Sequence, residues 1–420
     1  HSPRQIEQIA KSIREFGFTN PVLIDADDRI VAGHGRVAAA KKLGLETVPT
    51  IRLDHLTEDQ VRAYVIADNR LAELAGWDRD LLALELGDLA TMELDFSIDV
   101  TGFELPEIDL MIQELGSDHG ASEDPPPDPD PGPPATQTGD LWLLGDHRLY
   151  CGDARDPTAY ETLMGGERAQ MVFSDPPYNV PIDGHVCGSG AVKHREFAMA
   201  SGEMDASTFT SFLEESLGAM AAVSLDGAIH FTCMDWRHMT ELQAAGDKVY
   251  SELKNLVVWS KTNGGMGTFY RSRHELIYVW KVGTAPHTNT FGLGEHGRYR
   301  TNVWDYPGVN SFGGNQKDLA LHPTVKPVAL VADAIKDVTR RGEIVLDGFG
   351  GSGTTLVAAE RVGRVARLVE LDPIYCDVIC RRYASLMGAE PVLEATGETF
   401  GAVAAVRAAE AEARKLETAE

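Results

Sequence analysis

The stretch that most constrains this chain is Ala169-Gln-Met-Val-Phe-Ser-Asp-Pro-Pro-Tyr178, a short apolar run that ends abruptly in Asp175, Pro176, Pro177 and Tyr178. The run predicts a buried strand, and the two prolines stop it because neither can donate to a sheet ladder. A carboxylate, a carbonyl and an aromatic ring are thereby left at a strand's carboxyl end, where open α/β sheets bind ligands. Together they suit an exocyclic amine on a nucleobase: Asp175 accepts one amine proton, the Pro176 carbonyl the other, and Tyr178 offers a face for stacking. The alternative reading is a proline-stiffened turn with a capping Asp.

A second stretch weighs against that alternative. Residues 343–356, Glu-Ile-Val-Leu-Asp-Gly-Phe-Gly-Gly-Ser-Gly-Thr-Thr-Leu, predict a strand, a glycine-rich turn and a helix starting at Thr354. No Gly-Lys-Ser/Thr follows, which argues against a triphosphate cradle, and the spacing misses the dinucleotide fingerprint. The next strand, 365–370, ends in Glu370, where a doubly wound fold holds a ribose diol. Adenosine without phosphates fits both features.

The chain here resembles the DNA amino-methyltransferases that use S-adenosylmethionine, in the permuted order where the catalytic motif precedes the cofactor motif. The resemblance is carried by Asp175-Pro-Pro-Tyr178, His322-Pro-Thr-Val-Lys-Pro327, Asp347-Gly-Phe-Gly-Gly-Ser-Gly-Thr-Thr355 and Glu370-Leu-Asp-Pro-Ile-Tyr375. It implies a Rossmann-like, doubly wound α/β domain and double-stranded DNA as the partner. It also implies a cofactor site in which Asp347, Phe349, Gly350, Gly351, Ser352, Gly353 and Thr354 form the turn around the methionine moiety. Glu370 would hold the ribose, Asp153 would lie near the adenine, and Thr324 and Lys326 would line the same pocket. The family more often has Pro and Ala where this chain has Gly348 and Gly350, substitutions read as loosening the turn.

The amino-terminal part predicts a small α/β domain: a helix over 3–16, strands over 21–24 and 29–32, a helix to Lys42, a strand over 48–53 and a helix opened by Thr57. Gly33-His34-Gly35-Arg36 lies between a strand and a helix start and is a candidate phosphate site. Over about residues 2–75 this part resembles the amino-terminal domain of ParB-like partition proteins, carried by Pro21-Val-Leu-Ile24, Gly33-His-Gly-Arg36 and Ala67-Asp-Asn-Arg70. The resemblance implies a nucleotide or phosphate partner. His34 and Gly35 stand where many partition proteins have Glu and Arg, which argues against nucleotide hydrolysis. The chain opens at His1, so a leading strand of this domain is expected upstream.

Between the two parts, residues 76–117 predict a Leu-rich helical connector whose apolar faces are read as inter-domain packing. Residues 118–138 form an acidic spacer, with seven prolines in the eleven residues from Asp124 to Pro134. The methyltransferase-like domain is assigned to 139–390, with 283–321 the candidate target-recognition region and 391–420 a helix or tail. Residues 179–204, polar and aperiodic, are expected to form a lid over a flipped base.

A net charge of −26 is unusual for a chain that meets DNA, since phosphate neutralisation supplies most nonspecific affinity. Its distribution matters more. Residues 1–140 hold eleven bases against twenty-eight acids, whereas 254–326 hold nine bases against four acids beside the proposed site. The five cysteines show no Cys-x-x-Cys and the histidines no finger spacing, so no metal site is expected. No apolar run approaches the eighteen residues needed to span a bilayer, and no signal-peptide pattern is present, so a cytoplasmic protein without a membrane partner is expected. The expected activity is site-specific methylation of adenine N6 in DNA. Cytosine N4 is the alternative, with Ser the commoner residue at position 175 in that branch. A ParB-like regulator with a degenerate second half, or a methyltransferase acting on RNA or a protein amide, are further alternatives. Target sequence, a restriction partner and a homodimer are left open.

Overall fold

The computed structural model describes residues 2–74, pieces between 82 and 111, residue 127, and residues 132–180, 202–261, 270–290, 300–307 and 326–417. The chain divides into two compact units, 1–120 and 121–420.

In the first unit, α1 (Pro3–Phe16) is capped by Ser2, whose hydroxyl accepts the Gln5 amide. It is followed by β1 (Val22–Ile24), β2 (Ile30–Ala32), α2 (His34–Lys42), β3 (Thr50–Arg52) and α3 (Glu58–Leu74). The three strands form a sheet in the order β2-β1-β3, with β1 antiparallel to β2 and parallel to β3. The strands are shorter than predicted, but every predicted element of this part is present. Of the Leu-rich segment, Leu82, Leu86 and Leu89 pack with Ile98, Phe103, Ile108 and Met111. These described leucines thus form a small apolar cluster with the residues that follow them.

The second unit is built on one ten-stranded sheet. Its elements are β4 (Leu141–Leu144), β5 (His147–Cys151), α4 (Pro157–Met164), β6 (Ala169–Ser174), α5 (Ala206–Ala222), β7 (Ser224–Met234), α6 (Met239–Val249), β8 (Glu252–Ser260), β9 (His274–Lys281), β10 (Val303–Asp305), α7 (Val328–Val338), β11 (Ile344–Asp347), α8 (Thr354–Arg361), β12 (Val365–Glu370), α9 (Pro373–Met387), β13 (Val392–Leu393) and α10 (Phe400–Glu417). The strand order is β10-β8-β9-β7-β6-β11-β12-β5-β4-β13. Its centre, β7-β6-β11-β12-β5, is all parallel.

Alternation along the central strands shows why the sheet is covered on both faces. In β6, Met171 and Phe173 join one core with Val331 and Ile335 of α7 and Leu356 of α8, whereas Ala169 and Val172 join another with Tyr160 of α4, Leu213 of α5 and Leu242 of α6. A strand buried on both sides reads as a near-continuous apolar run, as 171–173 does. This is the doubly wound α/β arrangement expected from the sequence. The carboxyl-terminal segment joins the sheet: β13 pairs antiparallel with β4, and Arg407 of α10 forms an ion pair with Asp140.

The end of the proline-rich segment is fastened to this unit by one buried carboxylate. Asp377 of α9 accepts the amides of Ala135 (2.8 Å) and Thr136 (2.9 Å) and the Thr136 hydroxyl (2.6 Å). Asp377→Ala would strand these buried donors, and we expect a loss of about 2–4 kcal/mol, since each unsatisfied buried donor costs about 1–3 kcal/mol. Urea unfolding checks this. An unchanged midpoint would mean that water replaces the carboxylate without cost.

Candidate active site

Three neighbouring parallel strands, β6, β11 and β12, end at the same edge of the sheet, and the predicted site residues lie there in two groups. The first group surrounds Asp175, the residue after β6. Its Oδ1 accepts the Tyr178 hydroxyl (2.7 Å) and its Oδ2 accepts Lys326 Nζ (2.6 Å). Lys326, only 4% exposed, also reaches Glu275 Oε2 (3.0 Å) and the Tyr178 hydroxyl (3.2 Å). Its ammonium lies 5.5 Å from the centre of the Tyr178 ring. Lys261 contributes a second ammonium to Glu275 and sits over the Trp259 ring at 4.5 Å. Two carboxylates and two ammoniums therefore balance in a largely dry cluster. The resemblance placed Lys326 in the cofactor pocket; its ammonium lies on Asp175 and Tyr178.

The electrostatics of the cluster follow from burial and pairing. Burial and the Glu275 charge raise the Asp175 carboxyl against the pull of Lys326. Burial opposes the ionisation of Glu275 as well, but Lys326 and Lys261 together hold it down at about 2. For Lys326 the cost of burial is outweighed by Asp175 and Glu275, which raise its pKa and keep it protonated.

The second group is the glycine turn. Asp347, the last residue of β11, accepts the Phe349 amide (3.0 Å) and the Thr355 hydroxyl (2.6 Å), tying the start of the turn to the first turn of α8. Gly351 and Gly353 adopt positive φ (51° and 81°), Gly350 donates to the Val369 carbonyl, and the Ser352 carbonyl accepts Arg382 Nη1 (2.9 Å). Thr354 is the first residue of α8. Glu370, at the end of β12, accepts the Gly351 amide on one oxygen (2.7 Å) and the Asp372 amide on the other (2.8 Å). Burial pushes Glu370 up to about 7 and, separately, Asp347 to about 7. Glu370 has no cation beside it among the described residues, an arrangement that suits neutral hydroxyl donors better than a charged ligand. Asp153 lies just beyond β5, after Gly152, whose amide donates to the Glu370 carbonyl. Its carboxylate is paired with Arg155 (2.7 Å). Thr324 lies outside the described residues, as do 181–201 of the expected lid.

Gly348 departs from the expectation of a loosened turn. A Cβ there would stand 2.7 Å from the Tyr160 hydroxyl and 2.8 Å from Met220 Sδ, so this chain fills from the side the volume that a larger residue would occupy.

Two site residues gave little warning in the sequence. Glu275 was one acid in a basic stretch, and only its place near the start of a predicted strand could have marked it. Asn179 follows Tyr178 at φ 53°; its side chain holds the Met204 carbonyl (2.8 Å) and the amides of Gly202 (3.1 Å) and Met204 (3.2 Å). It thus fastens the two described ends of the segment to each other. The Gly33–Arg36 turn in the first unit lies as expected between β2 and α2, with Gly33 left-handed, His34 exposed and Gly35 buried. The Arg36 guanidinium donates to the Asn20 carbonyl (3.1 Å), so it is occupied in holding the preceding loop.

The sequence profile of the DNA methylase family matches residues 169–381, which is half of the chain and contains the Asp175 cluster and the turn from Asp347 to Glu370. The chain belongs to the N6/N4 DNA methylase family. Its members are S-adenosylmethionine-dependent methyltransferases that act on DNA, and this chain carries in addition a ParB N-terminal domain over 1–69. Residues 80–138 match the ParB-methyltransferase HTH domain, across the segments read from the sequence as connector and spacer. Among curated relatives, type II methyltransferase M2.MboI of Moraxella bovis is 26% identical over 236 residues, 53% of this chain and 82% of that protein. The ParB-like nuclease domain-containing protein YnaK of Escherichia coli (strain K12) is 53% identical over 60 residues, 14% of this chain and 69% of that protein. Among solved structures, the M1.HpyAVI-SAM complex aligns at TM-score 0.41 and 18% identity, covering 56% of this chain and 97% of that one. PvuII DNA methyltransferase (cytosine-N4-specific) aligns at TM-score 0.43 and 15% identity, covering 62% and 97%.

The space at Gly348 supplies a test of how tightly the methylase turn is seated. The Tyr160 hydroxyl is fixed on the Ala154 carbonyl (2.9 Å) in the fully buried core and has little room to yield. Gly348→Ala is expected to destabilise by about 1–3 kcal/mol, as overpacking of a filled site does. Tyr160→Phe in the same chain should recover part of it. Equal thermal midpoints for Gly348→Ala and the parent would show that the side chains move aside freely.

Proposed function

We propose that this DNA methyltransferase modifies adenine N6, with Asp175 as the acceptor that orients the amine. The observation that supports this reading most is the position of the Asp175 carboxylate at the end of β6, one strand from the Asp347–Gly353 turn. An Asp at this position, where the cytosine branch more often has Ser, favours adenine. The adenine N6 lone pair is delocalised into the ring. Hydrogen bonds from the amine to the Asp175 carboxylate and the Pro176 carbonyl would favour a pyramidal nitrogen. Tyr178 would stack on the base, and such stacking is worth roughly 1–3 kcal/mol against the cost of unstacking it from the duplex.

The cofactor supplies a methyl group on a sulfonium, an electrophile that needs no metal. Glu370 would accept the ribose hydroxyls, the Phe349–Gly353 backbone would surround the methionine moiety, and Asp153 would lie near the adenine ring. The amine nitrogen that takes the methyl group would give up one proton, for which the Asp175 carboxylate, its hydrogen-bond acceptor in this reading, would be the nearest base. The contribution of the protein is then chiefly alignment of the two reacting atoms.

Asp175→Ala is expected to lower methyl transfer by about a hundredfold or more, the scale of a lost alignment, while cofactor affinity stays at the parent value. Transfer at the parent rate would remove Asp175 from the reaction. Mass spectrometry of nucleosides from the treated DNA should find N6-methyladenine; N4-methylcytosine alone would select the alternative base.

The ribose assignment makes a prediction about pH. Glu370 titrates at about 7 before the cofactor binds, because burial favours its neutral form. Hydroxyl donors favour the carboxylate, so its pKa in the complex is lower and binding releases a proton. Affinity should therefore be constant above pH 7 and fall as pH drops below it, by at most about tenfold per unit for one proton. Calorimetry at pH 6, 7 and 8 checks the slope, which Glu370→Gln should abolish. A parent chain with flat affinity across this range would place the ribose elsewhere.

A further inference from the structure

The cluster at Asp175 raises a question that the alignment role leaves open. In the arrangement observed, both Asp175 oxygens are already engaged, Oδ1 by the Tyr178 hydroxyl at 2.7 Å and Oδ2 by Lys326 at 2.6 Å. Each oxygen keeps a second lone pair, but an amine that takes this carboxylate has to share it with an ammonium and a hydroxyl, and Tyr178, to turn its face to the base, has to carry its hydroxyl away from Oδ1. Lys326 cannot leave for solvent, because its side chain is 4% exposed and its ammonium lies between the rings of Tyr178 (5.5 Å) and Trp259 (5.9 Å). A buried ammonium that lost its only counter-ion would be strongly disfavoured. Glu275 removes that difficulty: its Oε2 is already 3.0 Å from Lys326 Nζ and 3.2 Å from the Tyr178 hydroxyl.

We propose that Glu275 is a positioning residue for methyl transfer, the counter-ion onto which Lys326 and the Tyr178 hydroxyl withdraw when the target amine takes Asp175. The proposal rests on the role of Asp175 given above and adds a step to it, the exchange of Asp175 partners. No bond is made or broken in this step; an ammonium and a phenol trade one carboxylate for another less than a side chain's width away. Lys261 belongs to the same device. With Lys261 and Lys326 both on Glu275, Asp175 keeps its charge for the amine, and the four side chains stay neutral as a set. In the absence of Glu275's charge, Lys326 would have Asp175 as its sole carboxylate among the described residues and would compete with the amine throughout.

The test measures transfer of tritiated methyl groups to unmethylated DNA, with cofactor affinity by calorimetry on the same full-length proteins. Glu275→Gln keeps the shape and removes the charge. It is expected to lower kcat by about a hundredfold with cofactor affinity unchanged, and Glu275→Asp to stay within about tenfold of the parent. The deciding variant is Glu275→Gln combined with Lys326→Met. With the competing ammonium gone, Asp175 is released, and the double variant should be faster than Glu275→Gln alone. The proposal is overturned if Glu275→Gln turns over like the parent, if the double variant is no faster than the single one, or if Glu275→Gln also loses the cofactor, which would make Glu275 part of the scaffold. Parent and Asp175→Ala proteins run alongside separate this outcome from the reading it rests on. An active Asp175→Ala removes the role of Asp175 itself, and the base identified by mass spectrometry does not enter the Glu275 comparison.

Discussion

The parallel register of β6, β11 and β12 is the constraint on which the site depends. β6 precedes the other two by a long stretch of chain, yet Met171 lies opposite Val345, 174 positions later, and Ile344 lies opposite Val365, so the three carboxyl ends fall in a row. Each strand end then turns a different chemistry toward the same edge: a carboxylate followed by prolines, a glycine turn, and a second carboxylate. The side-chain period of two ties register to burial. A slip of one residue would turn Met171 and Phe173 into the core on the opposite face and Val172 into theirs, so neither face would be matched by the side chains packed on it, which is why a sheet covered on both faces holds its strand ends in fixed positions.

Two kinds of buried acid meet at this edge, and the protein treats them differently. Asp175 and Glu275 are surrounded by ammoniums and form a balanced cluster, whereas Asp347 and Glu370 have only hydrogen-bond donors and are pushed up to about 7. In the first case burial is offset by charge, and removal of one partner would leave an uncompensated ion, at a cost of about 3–5 kcal/mol. In the second the neutral acid is an accessible state. For Asp347 the raised pKa means that folding favours the protonated form, so its contribution to stability is full below the ordinary carboxylate range and is lost as pH rises through about 7. The Asp347–Gly353 turn is thus held by a residue that is easiest to bury when uncharged.

Much of this arrangement could be read from the residues. The strand over 169–174, the turn after Asp347 and the strand ending at Glu370 were visible because each joins an apolar run to a residue that ends it: proline, glycine or a charge. The Glu275 and Asn179 contacts could not be read, because each depends on partners distant in the chain. Glu275 meets Lys326 fifty-one positions later, and Asn179 meets Met204 across twenty-five. Nothing local to either residue specifies such a partner. Gly348 illustrates a third case. Its departure from the family's commoner proline was legible, but not the fact that Tyr160 and Met220, from two other helices, fill the space it leaves.

The basic stretch over 254–326 shows how a charge count can point to the right region for the wrong reason. Lys261 and Lys326 are committed to Glu275 and Asp175, Lys254 to Glu252, and Arg300 to Asp337, so four of its nine bases neutralise the protein's own acids. Arg298 and Lys317 lie outside the described residues. At the carboxyl edge of the sheet, Arg271 and Arg273 are exposed just ahead of β9, with Tyr270 at 83% exposure beside them. Across the antiparallel β7–β9 pair, Met234 faces Leu276, which brings Trp236, 49% exposed under the Arg237 guanidinium at 5.0 Å, to the same edge. Exposed cations mixed with aromatic faces are what a nucleic-acid backbone and its unstacked bases select. This smaller set, drawn from two loops, stays exposed, whereas two of the nine bases, Lys261 and Lys326, are drawn into the cluster around Asp175 and Glu275.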